Sequence, residues 1–231
     1  MKEYLSFGAG VGSTALLLHL LDQGREFETL FVDHETDLPE TYEFVDYLVD
    51  LGYPITVIKP NYEGFSNLYE YCKFRRFLPS IHLRWCTYRF KLQPLWDYAK
   101  QPCIMYIGIS FDEKHRAIPS YRQKQARNIR IKYPLIEQHL TRRDCLKIIK
   151  SQGIRTPVKS GCWLCPFQSP KQLLWLYINH RDLFNKIVEL EESRGNRYSL
   201  KEKPAHFYVP WKTEPLENFY EETQLLEVAS E

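Results

Sequence analysis

The chain has 231 residues, enough for one large domain or for one domain with an appendage, and its hydrophobic content of 44% can supply a core. No apolar run approaches the roughly 20 residues that span a bilayer, and no signal peptide precedes the first apolar strand near Met1. These features predict a soluble, cytoplasmic protein, and its six cysteines are expected to be metal ligands, reactive thiols or core residues rather than a disulfide framework.

The net charge of +2 hides an uneven distribution along the chain. Residues 73–132 contain 14 lysines and arginines against 3 acidic residues. Such a basic segment indicates a polyanionic partner such as a phosphate compound or a nucleic acid, and solvated helix faces explain it equally well.

An apolar strand at the start of the chain ends in three alternating glycines, Gly8, Gly10 and Gly12. Ser13 and Thr14 follow, and a helix is predicted from about 13 to 23. A glycine turn lets the backbone approach a phosphate, and a helix start offers free N–H groups and the positive end of its dipole. The pattern predicts an anion site, although a bare strand–glycine–helix turn occurs in any α/β protein.

The following segments alternate between short apolar strands and helices. Strands are predicted at 29–32, 55–58 and 103–109 and within 129–136, and helices at 39–51, 90–100, 141–152, 170–179 and 181–194. This order predicts an α/β fold, a Rossmann-like doubly wound parallel five-stranded sheet with a small C-terminal helical, cysteine-bearing extension. We predict a nucleotide-binding α/β domain at 1–153, with an irregular basic insertion at about 61–90, and a cysteine knuckle with a helical region at 154–231.

Polar side chains follow two of the predicted strands at the edge where open α/β sheets bind ligands. Asp33 closes strand two, as a ribose-binding acid does in a dinucleotide fold, and a magnesium ligand is conceivable among Asp33, His34, Glu35 and Asp37. Asp112, Glu113 and Arg116 follow strand four. Both groups are candidates for a ligand site, and both have the alternative of being solvated loops.

The cysteines suggest a metal site. Cys162 and Cys165 form a Cys-x-x-Cys knuckle, which occurs in zinc sites, iron–sulfur sites and redox pairs. Cys86 is the best third ligand, because Cys103 and Cys145 lie in a predicted strand and helix, and the candidates for a fourth ligand are Cys72 and His82. Three cysteines with an open position suit a cluster iron, whereas four closed ligands suit structural zinc.

Six short motifs follow one another between about residues 4 and 190: the loop 6–14, Asp33 with 38–41, 86–95, Gly108-Ile109 with Asp112, Glu113 and Arg116, 133–136, and 161–166. Together they resemble the phosphoadenosine phosphosulfate (PAPS) reductase-like branch of the PP-loop, or adenine nucleotide α-hydrolase, superfamily. Each motif is modest alone, and their order and spacing are specific.

The resemblance implies roles for named residues. ATP or a related adenine nucleotide would place its phosphates on Ser6, Gly8, Gly10, Gly12, Ser13 and Thr14, with Asp33 on the nucleoside. Ser13, Asp112 and Arg116 would act as catalytic residues. Cys86, Cys162 and Cys165 would hold a [4Fe–4S] cluster with one open iron, or zinc, and Mg²⁺ is a further candidate cofactor.

Members of this family reduce an activated sulfate, or use ATP to adenylate a target and install sulfur. We therefore predict an ATP-pyrophosphatase-type sulfurtransferase of sulfur metabolism, with an external thiol or other sulfur donor and with tRNA or DNA as candidate acceptors bound through residues 73–132. One alternative is a sulfonucleotide reductase that uses an external thiol. Another is a non-catalytic nucleotide- or nucleic-acid-binding module with structural zinc.

Three departures from the family pattern bear on this prediction. Gly12 stands where the loop usually has Asp, and Val11 stands at its usual Lys-like position. Trp85 replaces the first of a usual pair of cysteines, which argues against a four-cysteine cluster. The tail contains no cysteine after Cys165, so a reductase that uses its own tail thiol is not expected.

Overall fold

The computed structural model describes residues 1–79, 84–117, 128–158 and 160–194. Within it the chain divides into two compact units, each described by itself below. The sheet unit comprises residues 1–66 and 87–161, and the cysteine unit comprises residues 67–86 and the chain from residue 162 onward. The division predicted from the sequence at residue 153 stays a prediction.

The sheet unit is built on five parallel strands in the order β3-β2-β1-β4-β5. The strands are β1 (Lys2–Phe7), β2 (Glu28–Val32), β3 (Ile55–Ile58), β4 (Cys103–Ile107) and β5 (Ile129–Lys132). The register places Ser6 opposite Leu30 of β2 and opposite Ile107 of β4. Because β1 leads to β2 on one side and lies beside β4 on the other, the strand order reverses between β1 and β4.

Helices cover both faces of this sheet. In the sheet unit they are α1 (Val11–Asp22), α2 (Pro39–Asp50), a π-helical turn (Tyr88–Leu92) that leads into α5 (Gln93–Tyr98), α6 (Pro134–Glu137) and α7 (Arg142–Ser151). Leu5 and Phe7 pack with α1, α2 and α7, whereas Tyr4 packs on the opposite face with residues of α5. This alternation along β1 confirms the predicted doubly wound α/β fold.

The segment predicted to be irregular contains a helix. The cysteine unit begins with α3 (Leu68–Arg75), where the Asn67 side chain accepts hydrogen bonds from the backbone N–H groups of Tyr69 and Glu70. The short α4 (Trp85–Thr87) follows. The expectation of an irregular insertion at about 61–90 is therefore wrong for residues 68–75, because an asparagine cap starts a helix there.

Two further helices of the cysteine unit are α8 (Pro170–Asn179) and α9 (Arg181–Arg194), which have the predicted bounds. Glu189 of α9 links to α3: its carboxylate accepts a hydrogen bond from the Tyr69 hydroxyl at 2.9 Å and pairs with Lys73 at 2.8 Å. Trp163 lies beside the Tyr69 ring, 5.5 Å between centroids. The part of the chain that the structure describes has no helix long and apolar enough to cross a membrane.

Candidate functional site

A cavity of about 400 Å³ opens in the sheet unit where β1 and β4 end. Its first wall is the end of β1 with the glycine turn and the start of α1, namely Ser6, Gly8, Gly10, Val11, Gly12 and Ser13. The strand order reverses at this point, and such a crevice at the carboxyl ends of parallel strands is where open α/β sheets bind ligands. The structure thus brings five of the predicted phosphate-binding residues to one cavity.

The second wall is formed by the chain after β4 and by the start of α7. It comprises residues 107–110, Glu113, Arg116, Arg142, Cys145 and Ser160. The helical turn Phe111–Ala117 carries Glu113 and Arg116, whose side chains form an ion pair at 2.7 Å. Arginine guanidinium groups beside a glycine loop are the groups that proteins use to hold phosphate or sulfate oxygens.

Two backbone N–H groups of the glycine loop converge on one oxygen atom. Gly8 and Gly10 donate hydrogen bonds to the Ser13 hydroxyl at 3.3 and 3.1 Å, and the hydroxyl donates to the Gly10 carbonyl at 3.1 Å. The Ser13 oxygen therefore occupies a position where the loop can bind an anionic oxygen next to the N-terminus of α1.

Gly12 and Gly108 let the start of α1 approach the end of β4. A methyl group on Gly12 would lie well under 3.0 Å from the Gly108 carbonyl oxygen, and one on Gly108 would lie 2.6 Å from the Ser13 nitrogen. Neither position has room for a side chain. This close packing is a physical reason for Gly12 where the family pattern has an acid.

Asp112 points to the start of α7 and is not among the residues that line the cavity. Its carboxylate accepts a hydrogen bond from the Arg142 backbone N–H at 3.0 Å. A hydrogen bond from Ser110 is the largest cause that lowers the pKa of Asp112, and the Arg142 N–H lowers it further. The neighbouring Phe111 N–H donates to the carbonyl of Leu140, the residue before the cap of α7, at 2.7 Å, so one hydrogen bond joins this turn to α7 and a second joins it to the segment just before the helix.

Thr141 and Asp144 form the predicted capping box at the start of α7. The Asp144 N–H donates to the Thr141 hydroxyl at 3.4 Å, and the Thr141 N–H donates to the Asp144 carboxylate at 3.2 Å. These bonds satisfy N–H groups of the first turn and hold Arg142, the residue after the cap, at the cavity wall.

Thr14 and Asp33 are also outside the cavity lining. The Thr14 side chain is fully buried, and its hydroxyl oxygen has no hydrogen-bond partner among the described residues. The Asp33 carboxylate pairs with Lys59 at 2.7 Å and accepts a hydrogen bond from Tyr42 at 3.0 Å. Burial raises the pKa of Asp33, but these partners and the Glu35 N–H outweigh it, so the net pKa lies below its usual value.

His34 and Asp37 form a buried pair after β2. The His34 ring is fully buried, with Nδ1 2.6 Å from the Thr36 hydroxyl and Nε2 3.4 Å from the Asp37 carboxylate, which Lys91 approaches at 3.5 Å. Burial and the Lys91 charge lower the pKa of His34 from 6.5 to about 4, against the opposite effect of Asp37 and Asp33. His34 is therefore neutral at physiological pH.

The predicted cysteine ligands lie together in the cysteine unit. Cys86, Cys162 and Cys165 are partly exposed, and the Cys165 N–H donates to the Cys162 carbonyl at 3.0 Å, which closes the knuckle turn. Cys72 is fully buried, and burial together with the nearby Cys86 and Cys162 raises the pKa of its thiol well above the usual value. His82 lies outside the described residues.

Among the described residues, no group of three or more His, Cys, Asp or Glu side chains is arranged to hold a metal ion. The thiols thus share one unit without forming a finished ligand set, and a metal site at Cys86, Cys162 and Cys165 stays a prediction. The same holds for magnesium near Asp33.

Comparison with known proteins gives similarity in structure but none in sequence. No protein-family model matches the chain, and no curated protein matches it in sequence. The crystal structure of phosphoadenylyl-sulfate (PAPS) reductase from Candida auris, a phosphate complex, matches with a TM-score of 0.52 at 16% identity, over 71% of this chain and 82% of that one. The chain has the fold of a PAPS reductase. The family resemblance predicted from the motifs is thereby confirmed at the level of the fold.

A second solved structure is less similar. A predicted subunit of tRNA methyltransferase from Methanocaldococcus jannaschii matches with a TM-score of 0.43 at 17% identity, over 67% of this chain and 89% of that one. The likeness is too weak to support an argument about this chain.

The fold also brings to the cavity residues that the sequence analysis did not single out for a site, among them Arg142, Cys145 and Ser160. Burial is the largest cause that raises the pKa of Cys145, to about 11, so its thiol stays protonated and is not a nucleophile at neutral pH. The sequence did indicate that Arg142 is the first residue of a helix, because it follows the capping residue Thr141. Sequence alone did not show that the start of α7 lies at the switch point beside β4.

Proposed function

We propose that the chain is a nucleotide-dependent enzyme of sulfur metabolism that binds ATP or a related adenine nucleotide in the cavity between β1 and β4. It would adenylate an acceptor and then transfer sulfur to it. The observation that carries the proposal is the glycine loop itself, where the N–H groups of Gly8 and Gly10 already hold one oxygen atom at a helix start. The PAPS reductase fold supports it, since the Candida auris protein was solved with phosphate.

In this proposal each wall of the cavity has a task. The loop N–H groups and Ser13 bind phosphate oxygens. Arg116 breaks its ion pair with Glu113 and stabilises the negative charge that develops on the ligand during transfer. Asp33 would contact the nucleoside. Asp112 acts through the backbone of Arg142, so its contribution is to position the start of α7 at the cavity wall.

The proposed reaction has two balanced steps. An acceptor oxygen attacks the α-phosphate of ATP, and the bond to pyrophosphate breaks. A sulfur nucleophile from an external donor then displaces AMP from the adenylated acceptor. The protein supplies position and positive charge for both leaving groups.

The direct test is release of pyrophosphate and AMP from ATP by the purified protein, in the presence of a sulfide donor and candidate acceptors. The basic segment 73–132 makes tRNA and DNA the first acceptors to try. We expect turnover to fall sharply in Gly8→Ala, because Gly8 lines the cavity and the added methyl group, which meets nothing within 4 Å in the protein, would compete with the ligand for space. Nucleotide binding without any turnover would instead support the non-catalytic module.

A second candidate is a sulfonucleotide reductase that takes electrons from an external thiol, and the fold favours it because the Candida auris protein is named a PAPS reductase. Binding of adenylyl sulfate or PAPS at least about tenfold tighter than ATP, with thiol-dependent release of sulfite, would establish it. No preference over ATP would reject it.

We also propose that Cys86, Cys162 and Cys165 bind iron–sulfur or zinc. Because no finished metal site is formed among the described residues, no step above depends on that group. Anaerobic purification with iron, sulfide and zinc analysis tests the proposal. Loss of the metal in Cys162→Ser, with retention in the matched core variant Cys103→Ser, is the expected result.

A further inference from the structure

The charged groups that line the cavity are not equivalent. Arg116 is neutralised by Glu113, with which it forms an ion pair at 2.7 Å. The Arg142 guanidinium forms no ion pair with any residue in the described part of the chain, and it lines the same cavity. Arg142 is therefore the lining arginine whose guanidinium is not taken up by an ion pair with a described residue, although its charge acts on the nearby Asp112 carboxylate and lowers the pKa of that group.

Arg142 is also held in place through its backbone. Its N–H donates to the Asp112 carboxylate at 3.0 Å, and the preceding Thr141 caps the helix. The backbone of residue 142 is therefore fixed at the cavity wall. Binding of a ligand by this side chain costs less conformational entropy than binding by an arginine on a flexible loop would.

The cavity has room for more than one anionic group. Its volume of about 400 Å³ is more than ten times the share of a water molecule in the liquid, which is about 30 Å³. The glycine loop supplies one oxyanion position at Gly8 and Gly10, on the wall formed by β1 and α1. Arg142 belongs to the second wall, formed by the chain after β4 and by α7.

We propose that Arg142 binds a second anionic group of the ligand, linked to the one on the glycine loop, and so selects phosphoanhydrides over monophosphates. The guanidinium offers a planar pair of N–H donors that matches two oxygens of a phosphate or sulfate group. The ligand class is a pyrophosphate or phosphosulfate chain. This inference rests on the proposed function only in taking the cavity as the anion site, and it does not require turnover or an adenine base.

The test compares four ligands by calorimetry at one ionic strength: pyrophosphate, inorganic phosphate, ATP and AMP. The variants are Arg142→Gln, Arg142→Lys and the matched control Arg143→Gln, which removes an exposed arginine from the next position of the same helix. Since Asp112 binds the backbone N–H of residue 142, the variants keep that hydrogen bond, and their melting temperatures should match the wild-type value.

We expect Arg142→Gln to weaken pyrophosphate and ATP binding by about tenfold, which corresponds to about 1.4 kcal/mol, and phosphate and AMP binding by less than about twofold. Arg142→Lys should recover part of the loss, because it keeps the charge and loses the planar pair of donors. Arg143→Gln should change none of the four affinities by more than about twofold.

Three results would overturn the inference. They are equal losses in Arg142→Gln and Arg143→Gln, equal losses for all four ligands, and a wild-type protein that binds neither pyrophosphate nor ATP. Arg142-dependent binding of pyrophosphate with no release of AMP from ATP would leave the inference standing while the adenylation proposal fails.

Discussion

Replacement of Gly12 by alanine tests the close approach of α1 to β4. The added methyl group would lie well under 3.0 Å from the Gly108 carbonyl oxygen, a backbone atom in a sheet that is packed on both sides. To restore ordinary contact, the start of α1 or the end of β4 must shift. Overpacking of this kind costs about 1–3 kcal/mol, and the better helix propensity of alanine returns up to about 1 kcal/mol. We expect a net loss of stability of about 1–2 kcal/mol.

Thermal unfolding followed by circular dichroism measures this loss. A loss of that size lowers the melting temperature of a protein of this length by about 2–8 °C. Gly8→Ala is the matched control, because it adds the same methyl group in the same loop with nothing within 4 Å. Gly12→Asp, which introduces the acid of the sequence pattern that this loop resembles, should be less stable than Gly12→Ala. If Gly12→Ala melts within about 1 °C of the wild type, the close approach does not limit this position and the reasoning is refuted.

Three further predictions concern other parts of the chain. His34 takes up a proton near pH 6.5 in the unfolded chain but only near pH 4 in the folded chain, because burial lowers its pKa to about 4. The free energy of unfolding should therefore decrease as the pH falls from 6.5 to 4, by up to about 3 kcal/mol. Urea midpoints at pH 7.5 and 5.0 should differ less in His34→Gln than in the wild type, and equal differences would contradict this. Asp112→Ala removes the acceptor of the Arg142 N–H and should cost about 1 kcal/mol in urea unfolding, whereas Asp112→Asn, which keeps a carbonyl acceptor, should recover most of it. Tyr69→Phe removes the hydroxyl that binds Glu189 and should destabilise the cysteine unit by about 1 kcal/mol, seen as faster limited proteolysis; an unchanged rate would argue that Lys73 alone holds Glu189.

The fold was predictable because its signals are local and repeated. Short apolar strands alternate with capped helices, and the Thr141–Asp144 capping box fixes the start of α7 from sequence alone. The exception is α3, which begins at Asn67, a favoured capping residue, within a segment whose arginines and aromatics suggested irregular structure. Asn67 indicated a helix start there, but the prediction of irregular structure followed the composition of the segment instead.

The candidate site was predictable where a single loop forms it. The glycine wall lies in one continuous segment, so its residues meet whatever the rest of the chain does. Thr14 shows the limit of this argument: successive helical residues point roughly 100° apart, so Ser13 faces the cavity while Thr14 is buried. Arg142 was missed because its place at the cavity depends on the order of the strands in the sheet. Sequence patterns predict that order less directly than they predict a single loop.

Gly12 and Arg142 both bear on the charge of the cavity. An acid at position 12 would place negative charge in the glycine loop, whereas Gly12 adds none and admits the Gly108 carbonyl. On the second wall Arg142 adds a positive charge that forms no ion pair among the described residues, although it acts on the Asp112 carboxylate. Both features favour an anionic ligand, because each lowers the electrostatic cost of bringing linked anionic groups into a crevice partly shielded from water. Gly12 is therefore compatible with the proposed binding of a nucleotide whose phosphates are held by arginine.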